Sequence, residues 1–149
     1  MQSITRIAFG SAVLMLLSGP AMAQSASATQ SQVAETALPT PKFDAKGIAR
    51  TETVRSEFDG KREAIQVRVD FAPGSSFPKH SHPGVEIAYV VTGVIDYELN
   101  GKTVRLQAGE SIYIPAGAVH SAKNVGSGVT SELATYVVEK NQPIVILDK

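Results

Sequence analysis

The stretch "PKHSHPGVEIAYVVTG", residues 78–93, decides how this sequence is read. The chain has three histidines, and two of them, His80 and His82, stand here one residue apart, with Glu86 four positions after the second. On an extended strand, residues at i and i+2 project to the same face, so both imidazoles point one way and Ser81 the other. Pro83-Gly84 then turns the chain. The run "EIAYVVTG" is rich in β-branched and aromatic residues and reads as a strand. With Glu86 facing inward, Ala88 and Val90 face inward too, and Tyr89 faces out.

Outward from this stretch the same grammar repeats. "AIQVRVDF" alternates strictly, with Ile65, Val67, Val69 and Phe71 on one face and Gln66, Arg68 and Asp70 on the other. "YELNGKTVRL" places Asn100-Gly101 between two strand-like runs, a strong hairpin signal. "ESIYIPAG" is a strand stopped by Pro115 and Gly117. "SELATYVVEK" is a further strand, and "QPIVIL" is a short final strand or docking segment. No stretch shows sustained helical periodicity. Many short strands with regular turns imply an all-β sandwich, barrel or jelly roll.

The third histidine, His120, follows the Pro115–Gly117 break by three residues. All three histidines therefore lie at junctions of strand and turn. Three imidazoles and one carboxylate on inward faces of adjacent strands would make a metal site, and that donor set suits Mn, Fe, Ni, Cu or Zn.

These residues resemble the signature of the cupin superfamily, and both of its motifs run without gaps. The first goes from Gly74 through five residues to His80, Ser81 and His82, then three residues to Glu86 and six to Gly93. The second goes from Gly109 through five residues to Pro115, Ala116 and Gly117, two residues to His120 and three to Asn124. Fifteen residues separate the motifs, and ten spaced positions match over residues 74–124. The resemblance implies a double-stranded β-helix, the jelly-roll or cupin barrel, with one divalent metal ion held by His80, His82, Glu86 and His120. It gives Gly74, Gly93, Gly109, Pro115 and Gly117 turn-forming roles, which the positive φ open to Gly and the fixed φ of Pro independently favour. Asn124 is expected to serve structure or to support the ligands, not to ligate. Among small cupins the chain is similar to the quercetin-dioxygenase-like, type-2 group.

Four protein ligands on an octahedral metal leave two positions open, unlike a closed tetrahedral structural zinc site. That favours Lewis-acid or oxygen chemistry. One carboxylate leaves a divalent ion net positive, so anionic substrates such as enolates, phenolates or carboxylates are expected. The expected function is that of a metal-dependent small-molecule oxidoreductase, dioxygenase-like. A decarboxylase, lyase or isomerase is an alternative, as is a binding module that captures a metal or ligand without turnover. No catalytic acid or base stands out. Arg68 is expected on a solvated strand face, Tyr89 in packing or an interface, and Ala and Val around the ligands.

The two ends of the reading are compositional. Residues 1–23, "MQSITRIAFGSAVLMLLSGPAMA", carry Arg6, an apolar run and a small-x-small end at Ala21-Met22-Ala23, and read as a cleavable signal peptide. The apolar run is too short for a membrane anchor across ~30 Å of hydrocarbon. The protein is expected to be periplasmic or secreted and off the membrane after cleavage. Residues 24–42 are rich in Ser, Ala, Thr, Gln and Pro and read as a flexible leader; residues 43–149 read as the barrel domain. The 14 basic residues less Arg6 leave 13 against 14 acids, a charge of −1 that gives no footprint for nucleic acid. The segment "GIARTETVRSEF", residues 47–58, could add to a partner's sheet, so a homodimer is a further expectation. With no cysteine, the fold must be held by its core or by the metal.

Overall fold

A computed structural model of the chain describes residues 40–148. The expected signal peptide, and residues 24–39 of the expected leader, lie outside the described residues. The described residues form ten strands and no helix: β1 (Ile48–Glu57), β2 (Arg62–Phe71), β3 (Ser76–Ser81), β4 (Val85–Thr92), β5 (Val94–Leu99), β6 (Lys102–Gln107), β7 (Ser111–Ile114), β8 (His120–Asn124), β9 (Thr130–Glu139) and β10 (Ile146–Leu147). They make two five-stranded antiparallel sheets, ordered β1-β2-β9-β4-β7 and β10-β3-β8-β5-β6. This is the all-β, double-stranded β-helix architecture expected from the sequence.

Alternation sets which residues meet between the sheets. From β2 the inward set is Ile65, Val67, Val69 and Phe71; from β4, Ala88 and Val90; from β5, Ile95 and Tyr97. Ala134, Tyr136 and Val138 of the central strand β9 complete the apolar packing with Ile114 and Ala122. Outward residues Ile87, Tyr89, Val91 and Tyr113 are exposed.

The turns follow the chemistry of their residues. Asn100 and Gly101 both take positive φ, 53° and 73°, which matches the primed turn that joins β5 to β6. Gly93 has φ 83°, and a Cβ there would stand 2.2 Å from Thr130 Oγ1, so both conformation and space demand glycine. The segment expected to add to a partner's sheet contains β1, which lies on the edge of the chain's own sheet, paired with β2 from Ile48↔Phe71 to Glu57↔Glu63.

Candidate metal centre

The two sheets deliver the four candidate ligands from opposite sides. His80 is the penultimate residue of β3 and pairs across the ladder with His120, which opens β8. His82 follows β3 by one residue, and Glu86 lies on β4, in the facing sheet, paired with Tyr136 of β9 and Ile114 of β7. All four side chains are buried, and one donor atom from each falls within 4.8 Å of the others. His80 and His120 ring centroids are 4.1 Å apart, and His82 packs against Tyr136 at 4.8 Å.

The rings are held by their far nitrogens. His80 Nδ1 lies 2.8 Å from the Pro78 carbonyl, His120 Nδ1 3.0 Å from the Ala118 carbonyl, and His82 Nδ1 2.5 Å from the Ile144 carbonyl. A carbonyl only accepts, so each Nδ1 carries a proton and Nε2 of each ring is turned inward. This is how metal-ligating histidines are oriented. Two of the three carbonyls come from the residue two positions upstream, so the local strand path aims the ring. The third comes from the C-terminal segment, tied to β3 by the Ile146↔Ser81 pairing.

The inward atoms are not satisfied among themselves. His82 Nε2 and Glu86 Oε2 are 2.8 Å apart, yet neither makes a hydrogen bond of acceptable geometry. His120 Nε2 lies 3.4 Å from the same oxygen. A ring nitrogen and a carboxylate oxygen facing one another in a buried space need a positive charge between them, a proton in the metal-free protein or a metal cation. A divalent cation would supply it, and the borderline-soft N₃O donor set suits a transition metal. The residues fit the metal.

Charge states agree. Burial pushes the Glu86 carboxyl up, but contact with His120 and His82 outweighs it and holds the group at about 2, ionised. Burial, with the neighbouring His120, lowers His80 to about 4, so it is neutral at pH 7.

A cavity of about 20 Å³ opens beside these ligands, where a single water needs ~10–15 Å³ on that measure. Its wall corrects one expectation. Val69 and Ala122 are present, but Phe71, Phe77, Tyr97 and Tyr136 dominate, and Arg50 and Glu132 also line it. Arg50 and Phe77 are its least buried members and mark the mouth. The Arg50 guanidinium lies 5.6 Å from the Phe77 ring centroid, and among the described residues it pairs with no carboxylate. Arg68 is outside, bonded to Asp70 at 2.8 Å.

Residues 67–138 match the cupin domain family. These residues carry a cupin domain. Germin-like protein 1-1 of Oryza sativa is 38% identical over 77 residues, 46% of this chain and 35% of that protein. Oxalate oxidase GF-2.8 of Triticum aestivum is 36% identical over 103 residues, 60% of this chain and 45% of that protein. The crystal structure of a "predicted oxalate decarboxylase" from Thermotoga maritima superposes with a TM-score of 0.56 at 27% identity, covering 67% of this chain and 91% of that one. The matched segments span from about a third to three fifths of the first curated relatives' own length. This cupin domain thus carries a buried three-histidine, one-glutamate cluster whose donor atoms could hold a metal ion.

The other motif residues sit at turns or in the core. Gly74, Gly93, Gly109 and Gly117 all have positive φ, and Pro115 follows β7. Asn124 is buried and bonds to backbone, not to the cluster: its Nδ2 donates to Phe71, Ala72 and Gly128 carbonyls, and its Oδ1 accepts from Gly126 N–H and Thr130 Oγ1. Arg50, Glu132 and Tyr97 were not singled out from the sequence. On β9 both faces mix apolar and polar residues, so parity within "SELATYVVEK" does not say that Glu132 faces inward.

Proposed function

We propose that this cupin is an exported, metal-dependent enzyme, acting as an oxidoreductase on a small carboxylate or enolate anion. The observation that carries the reading is the buried set of His82 Nε2 and Glu86 Oε2, unsatisfied and 2.8 Å apart, beside a small cavity with a cationic mouth. His80, His82, Glu86 and His120 would hold the metal. Once bound, it would supply Lewis acidity and, if redox-active, oxygen chemistry.

The rest is done by this chain's own side chains. Arg50 attracts and orients the free end of an anion at the mouth. Phe71, Phe77 and Tyr97 exclude water. The narrow cavity counts against a phenolic ring system. The names of two similar proteins, an oxalate oxidase and a predicted oxalate decarboxylase, support a small dicarboxylate as the first substrate to test. A non-redox decarboxylation is the second reading, favoured by the buried acid Glu132 on the cavity wall.

The test loads the protein with Mn, Fe, Cu, Ni or Zn and supplies oxalate, other small carboxylates, diketones and phenols. Dioxygen uptake is followed alongside release of carbon dioxide and formate. Oxygen uptake with a carboxylate supports the oxidoreductase, and formate without oxygen uptake supports the decarboxylase. A ligand recovered unchanged from a tight complex, with no product under any metal, would replace both with a binding module.

Export rests on residues 1–23, and a mature N-terminus near Gln24 in a secreted fraction tests it. A homodimer is supported by the exposed outer face of β4 and β7, where Ile87, Tyr89, Val91 and Tyr113 lie in one stripe. A monomer mass by light scattering would end that idea.

A further inference from the structure

Glu132 is a carboxyl group that no ligand role uses. It lies on β9, the central strand of its sheet, flanked across the ladder by Val69 on β2 and Val90 on β4. Its side chain is buried and lines the same cavity as His80, Glu86 and His120. Tyr97 Oη, from the opposite sheet, hydrogen-bonds to Glu132 Oε2, and no cation forms a salt bridge with Glu132 among the described residues. A carboxylate in an apolar wall without a cation is costly, so such a group keeps its proton.

We propose that Glu132 holds the transferable proton of this cavity and that Tyr97 positions its carboxyl toward the bound anion. This rests on reading the cavity as catalytic. When a C–C bond of the ligand breaks and leaves an electron pair on carbon, the Glu132 O–H bond breaks. Its proton forms the new C–H bond on the ligand. The carboxylate left behind accepts the Tyr97 O–H, and water at the Arg50 mouth returns the proton. In the reverse sense, ionised Glu132 removes a proton from an incoming acid.

The surroundings support the placement. Burial, then the Glu86 carboxylate, raises Glu132 to about 8, while Tyr97 and Arg50 pull it down. The titratable and charged groups facing it are Tyr97 on β5, Tyr136 on its own strand, Glu86 on β4, His80 on β3, His120 on β8 and Arg50 on β1. A cation held by the cluster would offset the Glu86 charge and bring Glu132 toward neutral pH, where a proton donor is most effective.

The test is ¹³C NMR of the full chain labelled at glutamate side-chain carboxyls, with zinc as a diamagnetic probe. One carboxyl resonance is expected to remain in its protonated position at pH 6.5 in the metal-free protein. It should be absent in Glu132→Gln and shifted to a higher midpoint in Tyr97→Phe, which identifies it even if the first variant folds poorly. Zinc should lower its midpoint by about one unit or more. A Glu132 resonance that titrates with the surface glutamates overturns the proposal. So does zinc uptake that leaves its midpoint unmoved, because the group is then remote from the metal. Failure to take up zinc at all overturns the metal reading and this proposal with it.

Discussion

Replacing Asn124 with Ala separates a role in the fold from a role at the metal. The side chain is fully buried, and five polar groups converge on it. Nδ2 has two hydrogens, shared among carbonyls of Phe71 (2.9 Å), Ala72 (3.1 Å) and Gly128 (2.8 Å). Oδ1 accepts from Gly126 N–H and Thr130 Oγ1, each at 2.8 Å. That amounts to four full hydrogen bonds. At about 1 kcal/mol net for each, and more where a buried carbonyl is left without a donor, Asn124→Ala should cost about 3–5 kcal/mol. Since domains have only ~5–15 kcal/mol of stability, this is a large share. With a urea slope of about 2 kcal/mol per molar, the midpoint should fall by roughly 2 M. Asn124→Asp keeps the shape but turns a carboxylate toward the Phe71 and Gly128 carbonyls, and should cost at least as much. The folded fraction of either variant should retain the metal stoichiometry of the wild type. A loss under about 1 kcal/mol in urea would refute the hydrogen-bond accounting. Full stability combined with lost metal would place Asn124 at the metal instead.

Other perturbations probe other links. Gly93→Ala meets a positive φ of 83° and a contact of 2.2 Å to Thr130 Oγ1, so thermal unfolding should shift down by at least the equivalent of about 2 kcal/mol. An unchanged melting curve would contradict that packing. The metal-free protein should lose stability as pH falls from 6.5 to about 4, because His80 is held at about 4 when folded and the unfolded chain takes up its proton first. A flat urea midpoint across that window would contradict the burial of His80. The metal should leave in the same pH range, since its ligands must be unprotonated imidazoles; retention at pH 4 would contradict the ligand set. Chelation should lower the wild-type melting temperature and leave His120→Ala unmoved, as the bound ion adds about 2.7 kcal/mol at a hundred times its dissociation constant. Equal shifts in the two proteins would argue against the cluster.

The ligand set could be read because its spacing survives folding almost unchanged. His80 and His82 at i and i+2 share a face on any extended path, and Glu86 with Ala88 and Val90 keeps the same parity along β4. The Asn100-Gly101 hairpin was legible for a similar reason, since few residue pairs accept two consecutive positive φ angles. What could not be read depends on partners distant in sequence. The Ile144 carbonyl that aims His82 lies 62 residues away, and the Tyr97–Glu132 bond spans 35. Arg50 sits on an edge strand whose outer residues are mostly exposed, so its position at the mouth follows only from how the sheets close. Glu132 lies on a strand with polar and apolar residues on both faces, where alternation alone does not choose a side.

The central claim is that His80, His82, Glu86 and His120 hold one metal ion. Its most direct test is the metal content of the mature chain from about residue 24, purified from an exported preparation without added metal or chelator, with His120→Ala beside it. Close to one transition-metal ion per chain in the wild type, and much less in His120→Ala, is the result expected. No metal in the wild type, or the same content in both proteins, would contradict it.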